Sequence, residues 1–343
     1  MSLNGIIEEF LRERGAIKVG FANKETLAGG PPSIDLDYRL EEAKSAISFA
    51  LPMNRDYIRL FLSKNDRSPH ENDNLQTNLK CQALSWELAT MLKSEGYPSK
   101  GCAANQKYRQ DVENWQLFLH PDISHRYMAV RSGVGSFGWS GNVGIKDFGT
   151  AIMLGSAVTV AELEPTDPEP EEEQFCDQCK MCVSVCATDM FDRYKEDSIT
   201  LGGKEFKYSH RKEILRCSLC CGGVTGLSTS GKWSTWSPGR FDLPWEQEKL
   251  VEVAINASMA YAKRPTVPGG FINIVDNQRT YMTCGNCQIV CWGNKKETAA
   301  NVKLLHSSGC VIQYPDGQIQ VYPPEEAAEK FQQLPPEHQA FYI

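Results

Sequence analysis

The cysteines at positions 176, 179, 182 and 186 constrain this chain more than any other feature. Three cysteines at intervals of three, then a fourth four residues on, form the C-x2-C-x2-C-x3-C run of bacterial-type [4Fe–4S] proteins. A tight loop of that length presents three thiolates to one cubane. The fourth cysteine leaves the loop pointing away and ligates a neighbouring cluster. One run therefore predicts a second, and Cys284, Cys287 and Cys291 supply it as C-x2-C-x3-C, one thiolate short. By the same crossing rule Cys291 completes the cluster of Cys176, Cys179 and Cys182. The other cluster takes Cys186, Cys284, Cys287 and one upstream cysteine, for which Cys217 is the choice and Cys220 and Cys221 are its rivals. Zinc is the competing reading, because paired C-x2-C motifs also build tetrahedral sites. Zinc leaves the triple spacing unused. Ala187 and Trp292 stand where such runs usually carry proline, which shapes the exit turn and ligates nothing.

At 343 residues the chain is long enough for two modules sharing a core. Thirteen cysteines would read as disulfides in a small secreted protein; here most fall into cluster spacing, which points to a reducing compartment. The first ten residues carry no basic, apolar or twin-arginine signal. No apolar run approaches the roughly 20 residues that span a bilayer, so the expectation is a cytoplasmic protein with no membrane partner. A net charge of −7 argues against a nucleic-acid surface.

Along the chain, Leu3, Ile6, Ile7, Phe10 and Leu11 share a helical face that ends near Gly15. Residues 46–51 read as a buried strand stopped by Pro52. Leu75, Leu79, Ala83 and Trp86, broadened by Leu88, Met91 and Leu92, predict a helix whose apolar stripe is core, with Gly96 as its C-terminal glycine. Alternation of strand and helix predicts an α/β or α+β N-terminal domain. The stretch 96–131 is polar and aromatic, with Tyr108, Trp115, His120, Asp122, His125 and Tyr127, and reads as pocket lining or a surface insertion. Residues 132–144 then hold five glycines, used where backbone takes positive φ or approaches a ligand closely. They lack G-K-[ST] and an acid at Rossmann distance, which disfavours nucleotide binding. Residues 151–160 read as a strand. Seven acids and three prolines in 162–173 suggest a solvated linker and module boundary. Between the cysteine groups lie Lys232–Pro238, rich in Trp and Ser, and a helix at 245–262. Residues 310–322 read as a hairpin turning at Asp316-Gly317. Cys81, Cys102 and Cys310 lie outside cluster spacing and are expected to act as small core hydrophobes.

The glycine-rich stretch and the cysteine runs together resemble the cobalamin-dependent iron–sulfur reductases, which comprise epoxyqueuosine reductases and reductive dehalogenases. The likeness rests on Ser132–Gly141, on Phe148-Gly149 and Leu154–Thr159, on Phe175–Thr188 and on Cys284–Asn294 in that order. Arg216-Cys217 also looks like the family's isolated upstream cysteine. The likeness covers about residues 130–190 and 284–294 and is weaker over the first hundred.

The resemblance implies an α+β fold: a nitroreductase-like α/β domain at 1–165 that binds a corrinoid and substrate, then a ferredoxin-like two-cluster module. That module would span 166–300, with an insertion at 222–283, followed by a C-terminal hairpin and tail at 301–343. Gly133, Gly135, Gly138, Gly141 and Asn142 are the implied corrinoid contacts. Two [4Fe–4S] clusters would pass single electrons to the cobalamin, which carries the hard chemistry while the protein orients it. An external ferredoxin or flavodoxin would supply the electrons. Epoxyqueuosine enzymes carry an aspartate shortly after an element like Gly96-Tyr97, whereas residues 102–108 here contain no acid. Dehalogenases use a tyrosine with a basic neighbour, as Tyr108 has in Lys107 and Arg109. Tyr108 is therefore the expected proton donor, with Asp122, His125 and Tyr127 as further candidates. The resulting expectation is a reductase of a small organic molecule, by dehalogenation or carbon–oxygen reduction. The alternatives are an epoxyqueuosine reductase acting on tRNA, or an electron-transfer or corrinoid-activating protein without its own substrate.

Overall fold

A computed structural model describes residues 2–104, 107–113, 115, 120–267, 271–272 and 279–343. Its centre is a four-stranded antiparallel sheet of β1 (Lys18–Asn23), β2 (Ser45–Pro52), β3 (Ser99–Cys102) and β4 (Ile152–Thr159), in the order β1-β2-β4-β3. β2 and β4 pair from Ser45↔Thr159 to Pro52↔Ile152, so Pro52 closes the strand from within it.

Side chains of a strand alternate between faces, and β2 uses that alternation to make its two faces unequal. Ile47, Phe49 and Leu51 pack with Ile7 and Leu11 of α1 (Leu3–Glu13) and with the long helix packed on that face. The opposite face carries the small Ala46, Ser48 and Ala50, all buried. That flat surface lets helix His125–Arg131 and the glycine-rich stretch lie close against the sheet; Ala50 packs with Ala129, Val130, Val134 and Phe137. The observed domain is thus a mixed α/β sandwich with helices on both faces, built on an antiparallel sheet.

The long helix runs Ser68–Ser94, with Gly96 following at φ +90°. Its buried face is Cys81, Leu84, Leu88 and Leu92, whereas Leu75, Leu79 and Trp86 stand 39%, 47% and 50% exposed. Of the stripe expected from sequence, Leu88 and Leu92 are core and Met91 packs on it, while Leu75, Leu79, Ala83 and Trp86 are corrected to the exposed side. Two overlapping apolar stripes run along this helix, and the sheet face carrying Phe21, Ile47 and Phe49 selects the one that contains Cys81. Cys81, Cys102 and Cys310 are buried among apolar side chains.

Stretch 162–173 is exposed over most of its length, but it is tied down rather than free. Thr166 bonds the backbone of Phe21 and the Ser132 carbonyl, and Lys18 pairs with Glu169 at 3.5 Å. The following half shares core with the first. Met53, Ile58, Phe61 and Leu62 pack with Val185, Trp236, Ile289 and Trp292, and the Trp236 indole donates to the Phe61 carbonyl at 3.0 Å. Helix Gln247–Tyr261 and the hairpin Cys310–Gln313 with Ile319–Tyr322 form where expected.

His70 on the long helix is fully buried, and neither ring nitrogen has a hydrogen-bond partner among the described residues. Burial pushes its imidazole down from 6.5 to about 4, and does the same to His125. An unfolded histidine protonates near 6.5, so the neutral buried rings favour the fold above that pH and cost it stability as pH falls from 6.5 towards 4. Each drop corresponds to about 3 kcal/mol at the acid end. Urea midpoints at pH 7.5 and pH 5 should therefore diverge, and His70→Leu should narrow the gap. An unchanged gap in that variant would contradict the assignment.

Candidate metal centre

The loop 176–182 closes through two residues in the left-handed region, Gln178 at φ +54° and Lys180 at φ +58°. Such conformations in non-glycine residues cost on the order of 1–2 kcal/mol each and persist only where the surroundings impose them. Their effect is to turn Cys176, Cys179 and Cys182 inward. These three and Cys291 line one cavity, walled by Trp139, Phe175, Thr150 and Thr298. Lys180 stands 3.9 Å from the Trp139 ring centre.

Cys291 reaches that cavity because the segment before β4 grips its turn. Thr150 donates its amide to the Cys291 carbonyl at 2.9 Å, and its hydroxyl bonds the Gln288 carbonyl. Gly149, at φ +59°, lies directly on the Cys291 carbonyl and the Gly293 amide, where a Cβ would collide.

Cys186 follows one helical turn after Cys182 and belongs to a second group. Cys284 interacts with Cys186, Cys217, Cys220 and Cys221, and Cys287 with Cys284, Cys217 and Cys186. Helix Ile214–Cys221 supplies all three upstream thiols; Cys217 and Cys221 are 3.8 Å apart. The Thr283 hydroxyl holds the carbonyls of Cys220 and Cys221, fixing that helix to Cys284. All three rivals adjoin Cys284, and their geometry does not single out one. Among the described residues, no three His, Cys, Asp or Glu side chains converge closely enough for a single metal ion.

Burial dominates the electrostatics. It pushes the Cys182 thiol up to about 12 and Cys179 to about 11, and raises Cys176, Cys186 and Cys291. In the second group, hydrogen bonds from Cys220 and Cys221 lower Cys284. Buried thiols keep their protons unless positive charge replaces them, and a metal cluster supplies that charge. N–H donors already point at sulfur: Met190 N to Cys186 Sγ at 3.3 Å, Asn142 Nδ2 to Cys287 Sγ at 3.5 Å. Such bonds are among the protein's means of setting cluster potential. The donor set, its burial and these amides fit two iron–sulfur clusters.

The glycines expected to cradle a corrinoid stand at points of close packing. A Cβ at Gly133 would strike the Asp167 carbonyl, at Gly135 the Gly144 carbonyl, and at Gly138 the Phe175 ring. At Gly141 it would meet guanidinium nitrogens of Arg126 and Arg211, each at 3.1 Å. Asn142 is spent on Cys287. A cleft of about 460 Å³ opens beside Gly135–Trp139 and Cys176, bounded by Glu169 and Tyr208. That size suits a small ligand, since such pockets run roughly 300–1,000 Å³, and of the five residues Gly135 and Gly138 line it.

Tyr108 and Asp122 sit in a different set of contacts. The Tyr108 carbonyl accepts from the Tyr38 hydroxyl at 3.1 Å, and its ring stacks on Trp115. Asp122 pairs with Arg39 at 3.3 Å beside Cys102, and burial raises its carboxyl. His125 Nδ1 meets Ser156 Oγ at 2.9 Å. Tyr127, by contrast, lies against Phe137 and is hydrogen-bonded to Tyr208 next to the glycine-rich stretch. Arg126, Arg211 and Tyr208 carried no sequence signal. They come from segments more than eighty residues apart and belong to no motif.

No family model matches the chain. An epoxyqueuosine reductase of Atelocyanobacterium thalassa is 35% identical over 66 residues, 19% of this chain and 21% of that protein. One of Synechocystis is 26% identical over 163 residues, 45% of this chain and 52% of that protein. The curated sequence relatives are epoxyqueuosine reductases. They support the resemblance drawn from the cysteine runs and the glycine-rich stretch, and with it the reading of the chain as an oxidoreductase. The chain spans about half the length, or less, of these epoxyqueuosine reductases. Among solved structures, a catabolic reductive dehalogenase matches with TM-score 0.47 and 15% identity, over 74% of this chain and 33% of its own. An epoxyqueuosine reductase with an epoxyqueuosine-modified tRNA stem loop matches with TM-score 0.36 and 17% identity, over 55% and 52%. No described helix is long and apolar enough to cross a membrane.

Proposed function

We propose that this chain is an iron–sulfur reductase that passes single electrons through two [4Fe–4S] clusters to an organic substrate. The observation that carries the reading is the crossed arrangement of its cysteines. Cys176, Cys179 and Cys182 share a cavity with Cys291, while Cys186 adjoins Cys284 and Cys287. Cys176, Cys179, Cys182 and Cys291 would hold one cluster. Cys186, Cys284, Cys287 and one of Cys217, Cys220 or Cys221 would hold the other. Clusters bound there supply one-electron chemistry at low potential.

The chain's own contribution is placement. Helix Met181–Ser184 separates Cys182 from Cys186 by one turn, and Cys287 and Cys291 are likewise one turn apart, so two short covalent paths link the sites. Trp139 and Phe175 wall the first cavity, and the amides of Met190 and Asn142 hold sulfurs of the second. A corrinoid comes to this chain through the resemblance alone. The domain division at about residues 165 and 300 stays part of the reading, and Tyr108 and Asp122 remain its proposed proton donors.

Two substrate classes follow from the relatives: a small halogenated or epoxide-bearing molecule, and epoxyqueuosine carried on tRNA. The cleft of about 460 Å³ favours the small molecule as the first class to assay. Anaerobic protein supplied with cobalamin and a low-potential reductant should turn over one of the two, and stoichiometric cobalt should co-purify. Loaded clusters with neither cobalt nor turnover would overturn the reductase in favour of an electron carrier. With Tyr108→Phe, unchanged turnover would discard that residue as donor.

A further inference from the structure

Beside the second cysteine group lie two arginines that no carboxylate among the described residues neutralises. Arg126 stands on helix His125–Arg131 and Arg211 ends strand Lys204–Arg211. Their Nη2 atoms meet over Gly141, each 3.1 Å from where its Cβ would be. Nε and Nη2 of Arg126 and Nε of Arg211 are sealed from water without a hydrogen-bond partner. Arg211 donates one bond, to the Ser140 carbonyl at 3.2 Å. Neither forms an ion pair with a carboxylate among the described residues. Around them are Tyr127, Phe137 and Tyr208, which offer ring faces and hydroxyls but no full negative charge.

Two like charges placed close together with several of their N–H groups out of water are costly unless an anion compensates them. The nearest anion that the fold can supply is on the cysteine side. Arg126 interacts electrostatically with Cys287, and Arg211 with Cys217. Asn142, the neighbour of Gly141, donates to the Cys287 sulfur. No carboxylate among the described residues pairs with either guanidinium. Four thiolates around a [4Fe–4S] core leave a net negative charge that grows by one on reduction. The first cavity has no such pair: its charged neighbours, Asp177, Lys180 and Lys295, lie at or near the surface, where water screens them.

We propose that Arg126 and Arg211 are the built-in counter-ions of the cluster held by Cys186, Cys284 and Cys287, and make it the easier of the two clusters to reduce. The inference rests on the two-cluster reading. A fixed positive charge in a partly buried site favours the more negative, reduced cluster, so electrons arriving from a donor would settle here. Gly141 is glycine because a side chain would occupy the point where the two guanidiniums approach the sulfurs. These are positioning residues: they touch no substrate in this account.

The test is an EPR-monitored redox titration of the iron-loaded protein, wild type against Arg126→Gln, Arg211→Gln and Arg126→Lys. One cluster signal should become at least tenfold harder to reduce in each glutamine variant, 59 mV per tenfold for a one-electron couple. The other signal should stay in place, and Arg126→Lys should restore most of the shift. Arg211→Gln on the outer hairpin strand serves if the helix variant fails to fold. Clusters that load fully while neither potential moves, or both move equally, would overturn the proposal and leave the two-cluster reading standing. So would a potential that follows added phosphate or carboxylate instead of the substitution, because the arginines would then hold a free anion. Absence of iron would instead count against the reading beneath it.

Discussion

Cys291→Ser should remove about four irons of a total near eight, the load of two cubanes, and it should remove the same cluster as Cys179→Ser. Cys291 lies more than a hundred residues from the 176–182 loop, yet it lines that loop's cavity. Cys287, four residues earlier, faces Cys186 and Cys284 instead. Cys186→Ser and Cys287→Ser should therefore eliminate the other EPR signal. The contrast between Cys287 and Cys291 is the decisive one, because a pair of uncrossed sites would assign both to one cluster. Loss of the same signal from both variants would refute the crossing. Single substitutions at Cys217, Cys220 and Cys221 should give one deficient and two loaded proteins, which identifies the eighth ligand.

Gly149→Ala should destabilise the protein by about 2–5 kcal/mol and release the first cluster. The backbone there takes φ +59°, which costs an alanine on the order of 1–2 kcal/mol. Its Cβ would also press on the Cys291 carbonyl, the Trp292 Cα and the Gly293 amide, and overpacking of that kind typically costs about 1–3 kcal/mol or more. Backbone on both sides leaves little room to relax. The strain falls on the residue that carries the fourth thiolate, so iron retention should fail before the sheet unfolds. Denaturant unfolding gives the first quantity and iron content the second. A variant that holds all its iron at wild-type stability would show that this contact does not position Cys291.

Much of this was legible in the sequence, for identifiable reasons. The pairing of Cys291 with Cys176, Cys179 and Cys182 follows from a spacing that only a cubane exploits fully, and the folded chain does bring those four together. Strands Ser45–Pro52 and Ile152–Thr159 and the hairpin at Asp316-Gly317 came from local pattern and turn chemistry. The stripe on helix Ser68–Ser94 was right at Leu88 and Leu92 and wrong at Leu75, Leu79 and Trp86, because periodicity gives two faces there and only the sheet chooses. What each glycine of 133–141 makes room for was not legible, for a related reason. Glycine marks close approach, and the sequence does not say whether a cofactor, Phe175 or a pair of guanidiniums approaches. The acidic stretch 162–173 has the composition of a linker, but Thr166 ties it to Phe21 and Ser132, a contact no local pattern encodes.

The measurement that bears most directly on this account is iron, sulfide and zinc content of anaerobically purified protein, with EPR after stepwise reduction. About eight irons and eight sulfides per chain, with two signals that appear at different potentials, is the predicted result. Zinc in place of iron, or a single four-iron signal with Cys186, Cys284 and Cys287 unligated, would contradict it.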